Sequence, residues 1–193
     1  GKTVQVLALL EMRRHRGTLK APALVVAPRS VVSNWVSEAR RFTPELKVLE
    51  HIGPARHRNI DRLGDYHLVV TTYGALRSDA VLLKDTRFSY AVLDEAQAIK
   101  NPRSRTAKAA RLVQAEHRLA LSGTPIENHL GELWSLFDFL NPGMLGRSAT
   151  FQRITQARGL LTDEGVRAMM RRAMRPFILR RTKQEVAKDL PEK

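Results

Sequence analysis

Asp94 and Glu95 are adjacent acids that close a short apolar run, Tyr90-Ala91-Val92-Leu93. A run of that length, bounded by polar residues, suits a buried strand of a parallel sheet. Ligands of open α/β sheets bind outside the carboxyl ends of the strands, so the two acids emerge where a ligand sits. Asp94 there could hold Mg²⁺, which takes oxygen ligands and the phosphates of a nucleotide. Glu95 could orient and deprotonate a water. The same residues also read as a strand ending in a solvated acidic turn, since strand ends are often polar.

A second group with chemistry is Gly1-Lys2-Thr3, followed by Val4, Leu7, Ala8 and Leu10 at helical spacing, with Gly17 as a helix stop. Gly-Lys-Thr opening a helix is the second half of the phosphate-binding loop G-x-x-x-x-G-K-[ST]. Free N–H groups at a helix N-terminus favour phosphate. Lys2 would reach the β/γ-phosphates and the Thr3 hydroxyl would ligate Mg²⁺. The tripeptide alone occurs by chance, and it gains weight from the strand-borne acids about ninety residues later. The first half of the loop and a strand before it are expected upstream of Gly1, which reads the chain as a piece of a longer protein.

The elements that would position these residues alternate along the chain. The 193 residues are 43% hydrophobic, enough for one well-buried domain and an appendage. Ala21–Ala27 reads as a strand, broken by Pro28-Arg29-Ser30, with Ser30 as the cap of a helix carrying Val31, Val32, Trp35, Val36 and Ala39 on one side. Trp35 is read as core in preference to a base-stacking platform. Lys47–Ile52 is a short strand. The basic segment after Gly53-Pro54, with Arg56, His57, Arg58 and Arg62, is read as a solvated helix face. Leu68–Val70 is a buried strand ending at Thr71-Thr72-Tyr73-Gly74, whose hydroxyls either contact phosphates or cap the next helix. Asn101-Pro102 is expected to start a helix that runs to about Gln114. Arg118–Leu121 is a strand delivering Ser122-Gly123-Thr124-Pro125 to the same edge. Leu130, Leu133, Trp134, Phe137 and Leu140 follow at helical spacing, and Asn141-Pro142-Gly143 stops that helix.

From Asn141 onward the texture changes. Residues 141–193 hold twelve Lys+Arg against five Asp+Glu, half of the chain's net charge of +14. Ser148 and Thr162 are expected to cap two short helices, Met169, Met170 and Met174 to pack inward, and Thr182-Lys183-Gln184-Glu185 to form a capping box. The charge and a pI near 11.0 favour a polyanionic partner, nucleic acid before others. Absence of cysteine excludes disulfides and thiolate metal sites, and the six His show no metal-ligand spacing. No run reaches membrane-spanning length, no signal peptide is visible, and an intracellular location is expected: cytoplasm or nucleoid in a prokaryote, nucleus in a eukaryote.

Strands alternating with helices imply a parallel sheet covered on both faces, a three-layer αβα fold. The motifs, in their order, resemble the first RecA-like lobe of a Swi/Snf-type ATPase in helicase superfamily two, over Gly1 to Lys193. Gly1-Lys2-Thr3 resembles motif one and Asp94-Glu95-Ala96-Gln97 the DExx box. Val26-Ala27-Pro28-Arg29-Ser30 with Asn34-Trp35, and Thr71-Thr72-Tyr73, resemble DNA-facing motifs. Leu121-Ser122-Gly123-Thr124-Pro125-Ile126-Glu127-Asn128 resembles motif three, which links nucleotide state to DNA contact. Leu136–Pro142 and Phe177–Lys183 are more family-specific, and Asp189-Leu190-Pro191-Glu192-Lys193 resembles the lead into a second lobe. The adenine-reading segment and the second lobe with its arginine fingers are expected outside this chain, and the insertion between Asn141 and Arg180 is short, as in simpler prokaryotic members.

The resemblance implies a P-loop NTPase lobe over residues 1–145, a helical protrusion over 146–179 and a lead into the second lobe over 180–193. It implies ATP and Mg²⁺ as cofactors, held by Gly1, Lys2, Thr3 and Asp94, with Thr3 and Asp94 on the metal. Glu95 would be the general base, with Gln97 and Thr124 sensing the γ-phosphate. Arg29, Asn34, Thr71, Thr72 and Ser122 would face double-stranded DNA, with RNA or a nucleoprotein complex as alternatives, and the second lobe of the same chain would complete the site. The implied activity is DNA-dependent ATP hydrolysis that drives translocation along duplex DNA and remodels protein–DNA complexes. Its rivals are a strand-separating helicase and a non-enzymatic nucleic-acid-binding scaffold. Without arginine fingers, worth about 10³–10⁵ in rate, residues 1–193 alone are expected to be nearly inactive.

Overall fold

The computed structural model describes residues 1–123, 130–144, 172 and 175–179. The chain divides into two compact units, Gly1–Ser148 and Ala149–Lys193. The first is built on five parallel strands: β1 (Ala23–Ala27), β2 (Val48–His51), β3 (Leu68–Thr72), β4 (Arg87–Leu93) and β5 (Gln114–Ala120), in the order β2-β3-β1-β4-β5. Every residue of β1 is buried, as a central strand covered on both faces requires.

Alternation along β1 sorts the two cores. Ala23, Val25 and Ala27 point to a face covered by Val6, Leu7 and Leu10 of α1 (Lys2–His15) and by Val32, Trp35 and Ala39 of α2 (Arg29–Phe42). Leu24 and Val26 point to the other face. There Leu76 and Leu83 of α3 (Tyr73–Leu83), Ala107 and Ala110 of α4 (Arg105–Leu112), and Leu136 and Phe139 of α5 (Leu130–Leu140) complete the third layer. The expected αβα sandwich is therefore the observed one. Each fully buried Val, Leu or Phe stabilises it by about 1.5–3 kcal/mol.

Several boundaries differ from the sequence reading. α2 starts at Arg29 with Pro28 as its N-cap: Pro28 has ψ 146°, and its carbonyl accepts from Val31 N at 2.9 Å. Ser30 thus lies inside the first turn and caps nothing. α4 starts three residues later than expected, because Ser104 Oγ accepts from Ala107 N at 3.1 Å, while Asn101 Oδ1 accepts from Arg103 N at 2.9 Å in a side-chain turn. α4 ends at Leu112, and β5 begins at Gln114, four residues before the expected strand. β5 is an edge strand with exposed Gln114, Glu116 and His117, so no apolar run marks its start. α5 stops at Asn141-Pro142-Gly143 as read, with Gly143 at φ +83°, a conformation open to glycine.

The basic segment forms a 3₁₀ helix, Pro54–Asp65. Arg58 and Arg62 are exposed on it, as read. Arg56 is not: its Nε and Nη2 reach Asp79 Oδ2 and Oδ1 of α3 at 2.7 and 2.9 Å, and Asp79 is wholly buried. Buried His51, at the end of β2, shares Asp79 through Nε2 at 3.1 Å. An Nε2–H donor leaves Nδ1 as an acceptor, and Nδ1 is buried without a partner. Burial pushes the imidazole pKa below its ordinary value, outweighing the pull of Asp79. Asp79 stays below the usual carboxylate value: its burial opposes ionisation, and the hydrogen bonds from Arg56 and His51 more than offset that.

Of the second unit the structure describes Arg172, in a helix, and the exposed 3₁₀ turn Arg175–Phe177 with Ile178 and Leu179. The expected caps at Ser148 and Thr162, the inward packing of Met169, Met170 and Met174, and the capping box at Thr182 lie outside the described residues, as does Thr124. Among the described residues no helix is long and apolar enough to cross a membrane.

Candidate active site

Parallel pairing brings the ends of the strands to one edge in fixed register. Ala27 lies beside Thr72, Val26 beside Leu93, and Leu93 beside Ala120. Pro28, Tyr73, Asp94 and Leu121 therefore leave the sheet side by side. From β1 the chain runs through α2 toward β2; from β4 it runs through α4 toward β5 on the other side. The connections diverge between β1 and β4, and a crevice opens at such a switch point. Asp94 stands at it.

Asp94 is buried at 6% exposure. Its N–H donates to Val26 O at 2.8 Å. Oδ1 accepts from the backbone N of Glu95 at 2.9 Å, and Oδ2 from the indole Nε1 of Trp35 at 2.9 Å. The Tyr73 hydroxyl donates to the Asp94 carbonyl at 2.7 Å. Burial, followed by the charges of Asp94 and Glu95, pushes the Tyr73 hydroxyl pKa far up, so it remains a donor.

Glu95 turns the chain. At φ 48° and ψ 55° it is the one non-glycine residue with positive φ among those described. The turn lets Ala96 N donate to Leu121 O at 2.9 Å, tying the acidic pair to the segment after β5. The Glu95 carboxylate accepts from Gln97 Nε2 at 2.7 Å, and Ser122 Oγ donates to Gln97 Oε1 at 3.3 Å.

Lys2 comes from the opposite end of the described chain. It is exposed in the first turn of α1, whose N-cap Gly1 supplies no side-chain acceptor, so the leading N–H groups of a fourteen-residue helix have no side-chain cap. Thr3 follows, half-buried. A Cβ placed on Gly123 would meet Lys2 Nζ at 3.8 Å and both carboxylate oxygens of Glu95 at 3.9 Å. One small space thus borders on an ammonium, a carboxylate and a glycine without side chain, beside an uncapped helix N-terminus. That donor set fits a phosphate chain. Asp94 retains lone pairs on both oxygens, which fits a hard cation held against such a chain.

The structure brings Lys2, Glu95, Gln97, Ser122 and Gly123 together and sets Asp94 next to them. Arg29 and Asn34 are exposed on α2. Thr72 Oγ1 accepts from Ala75 N at 3.1 Å and caps α3, so of its two readings the cap is formed. Thr71 does not reach the surface: it is wholly buried, and its hydroxyl donates to the carbonyl of His51, its partner in β2, at 2.8 Å. Trp35 is core, as read, but its N–H to Asp94 was not anticipated. The available signal was the indole itself, which needs a partner when buried.

A family model described as the SNF2-related domain matches residues 1–193. A Bacillus subtilis protein named as a putative ATP-dependent helicase/translocase, YwqA, is 41% identical over the whole of this chain, which spans 22% of that protein. The TATA-binding protein-associated factor MOT1 of Saccharomyces cerevisiae is 38% identical, and the chain spans 12% of it. Among solved structures, the Sulfolobus solfataricus SWI2/SNF2 ATPase core in complex with double-stranded DNA has a TM-score of 0.88 at 38% identity, covering 99% of this chain and 40% of that one. The chain thus spans less than a quarter of these two curated relatives.

Proposed function

The chain belongs to the SNF2-related family, and from that premise we propose that it is the nucleotide-binding lobe of a translocase that hydrolyses ATP as it moves along duplex DNA and remodels protein–DNA complexes. The observation that carries the reading is the convergence of Lys2 and Glu95 on Gly123 from segments more than ninety residues apart. Relatives named as ATP-dependent support the use of ATP, and a neighbour solved with double-stranded DNA supports the duplex partner.

Phosphoryl transfer asks the protein for positioning and charge stabilisation more than for covalent chemistry. Bound Mg²⁺ would neutralise charge on the β- and γ-phosphate oxygens. Lys2 adds a cation there, and the first-turn N–H groups of α1 add oriented dipoles. Thr3 and Asp94 would supply oxygens for the metal. Glu95 takes the proton of the attacking water, and Gln97 holds the Glu95 carboxylate in place. Ser122, on the same amide, passes the state of this group to the segment after β5, where Thr124 would sense the γ-phosphate. Arg29 and Asn34 on α2, with Ser122 at the sheet edge, form the candidate duplex face, and a second RecA-like lobe supplies the arginines.

The test is steady-state ATP hydrolysis by the full-length protein, with and without duplex DNA, beside the Lys2→Ala variant. Duplex-stimulated turnover, and calorimetrically weaker MgATP binding in the variant, are expected. Turnover indifferent to DNA, or equal MgATP affinities, would overturn the reading. Triplex displacement without separation of a forked duplex distinguishes translocation from unwinding.

A further inference from the structure

The Asp94 carboxylate is a buried charge with an incomplete set of partners. Its two oxygens accept one N–H each, from Glu95 and from Trp35. A carboxylate has about four lone-pair sites, so about two stay open. Among the described residues no Lys or Arg pairs with it. Buried charges in proteins are paired or coordinate metals. The two N–H groups therefore do not neutralise Asp94; they fix which of its lone pairs remain available.

The donor on Oδ2 comes from a separate element. Trp35 is at 0% exposure in the middle of α2, where Phe or Leu would also fill the core. What distinguishes the indole is a single N–H, a donor that cannot accept. It therefore selects an unprotonated oxygen. A hydrogen bond to an ionised group is shorter and about twice as strong as a neutral one, and burial removes the competing water. Tyr73 performs the matching task on the backbone: its hydroxyl holds the Asp94 carbonyl, and so the peptide that leads into left-handed Glu95.

We propose that Trp35 is the positioning residue of the cation site: its indole N–H sets the rotation of the Asp94 carboxylate so that the free lone pairs meet the nucleotide-bound Mg²⁺. The proposal rests on Asp94 as a metal ligand. Partners of metal ligands in this position are worth about 10–100-fold in metal affinity or activity. The group belongs to the helix that also carries Arg29 and Asn34, so the orientation of the metal carboxylate depends on the placement of α2.

The test is binding of the fluorescent nucleotide mant-ATP to the full-length protein as Mg²⁺ is titrated, for wild type, Trp35→Phe and Asp94→Asn. In Trp35→Phe the Mg²⁺ concentration at half-effect should rise about 10–100-fold, while affinity for mant-ATP without metal is unchanged, because Lys2 and the α1 N-terminus are intact. A purely structural role would lower the metal-free affinity and the thermal midpoint together and leave the Mg²⁺ midpoint in place; that result overturns the proposal. Site-specific 3-benzothienylalanine at position 35 keeps the shape and removes the N–H, and gives the same expectation should Phe leave the core underpacked. An unshifted Mg²⁺ midpoint in Asp94→Asn would remove Asp94 as ligand and with it the nucleotide reading of this acid. A shifted midpoint in Asp94→Asn with an unshifted one in the Trp35 variants removes only the role of Trp35.

Discussion

Gln97 Nε2 lies 2.7 Å from Glu95 Oε2, and the amide is held at its other end by Ser122 Oγ at 3.3 Å. The amide restricts the carboxylate without neutralising it, which suits a base that must stay ionised until a proton arrives. Glu95→Gln keeps the size and one acceptor oxygen and loses the basicity. ATP binding by the full-length protein should persist, while turnover falls by about 10²–10⁴, the range for lost acid–base catalysis. Filter binding and a steady-state assay read the two quantities separately, and near-normal turnover would remove Glu95 as the base.

The backbone of Glu95 makes a different demand. A non-glycine residue in the left-handed region costs about 1–3 kcal/mol, and Asn tolerates that region better than most residues. Glu95→Asn should unfold at the same or a higher temperature than wild type although it is inactive. Glu95→Val, β-branched in the same conformation, should unfold lower. Calorimetric scans of the pair test whether the acid is retained at this turn against the preference of the backbone.

The buried group of His51, Asp79 and Arg56 sets a pH dependence. The pKa of His51 is depressed in the folded state, so between that value and about 6.5 the unfolded chain holds more protons than the folded one. Stability then rises with pH through this window and is lost as pH falls below about 6.5, by at most about 1.4 kcal/mol per pH unit for one proton. Asp79 is depressed too, and its contribution is lost only in acid, below the ordinary carboxylate range. His51→Asn should be less stable than wild type at pH 8, with a gap that narrows toward pH 5 in urea titrations. A constant gap would mean that His51 does not titrate there. His67, also depressed by burial, should leave a residual slope in both proteins.

Arg29 is exposed in the first turn of α2, beside the end of β1. If it neutralises one duplex phosphate, Arg29→Ala should flatten the log–log dependence of DNA affinity on salt by about 0.9. Fluorescence anisotropy with duplexes of unrelated sequence should give the same change for each. An unaltered slope would place Arg29 in solvent and leave the contact to other residues of this edge.

Sequence alone determined the layers and which residues stand where the strands end. Apolar runs such as Leu24–Val26, Leu68–Val70 and Ala91–Leu93 suit strands buried on both faces, and the residues after each run must emerge at one edge of a parallel sheet. That is why the position of Asp94 and Glu95 at this edge was legible from type and place. Tertiary structure decided what spacing does not encode. Exposure of Thr71 and Thr72 was undetermined, because neighbouring hydroxyls at a strand end point to opposite sides of the sheet, and which side is covered is decided by packing. Arg56 read as solvated because its partner Asp79 lies on α3, and burial of a carboxylate is a property of the packed chain. β5 was read short because an edge strand carries polar residues where a central one cannot. The link from Trp35 to Asp94 joins residues fifty-nine positions apart; it exists because β1 pairs with β4, so that α2, which follows β1, leaves the sheet beside the residue that follows β4.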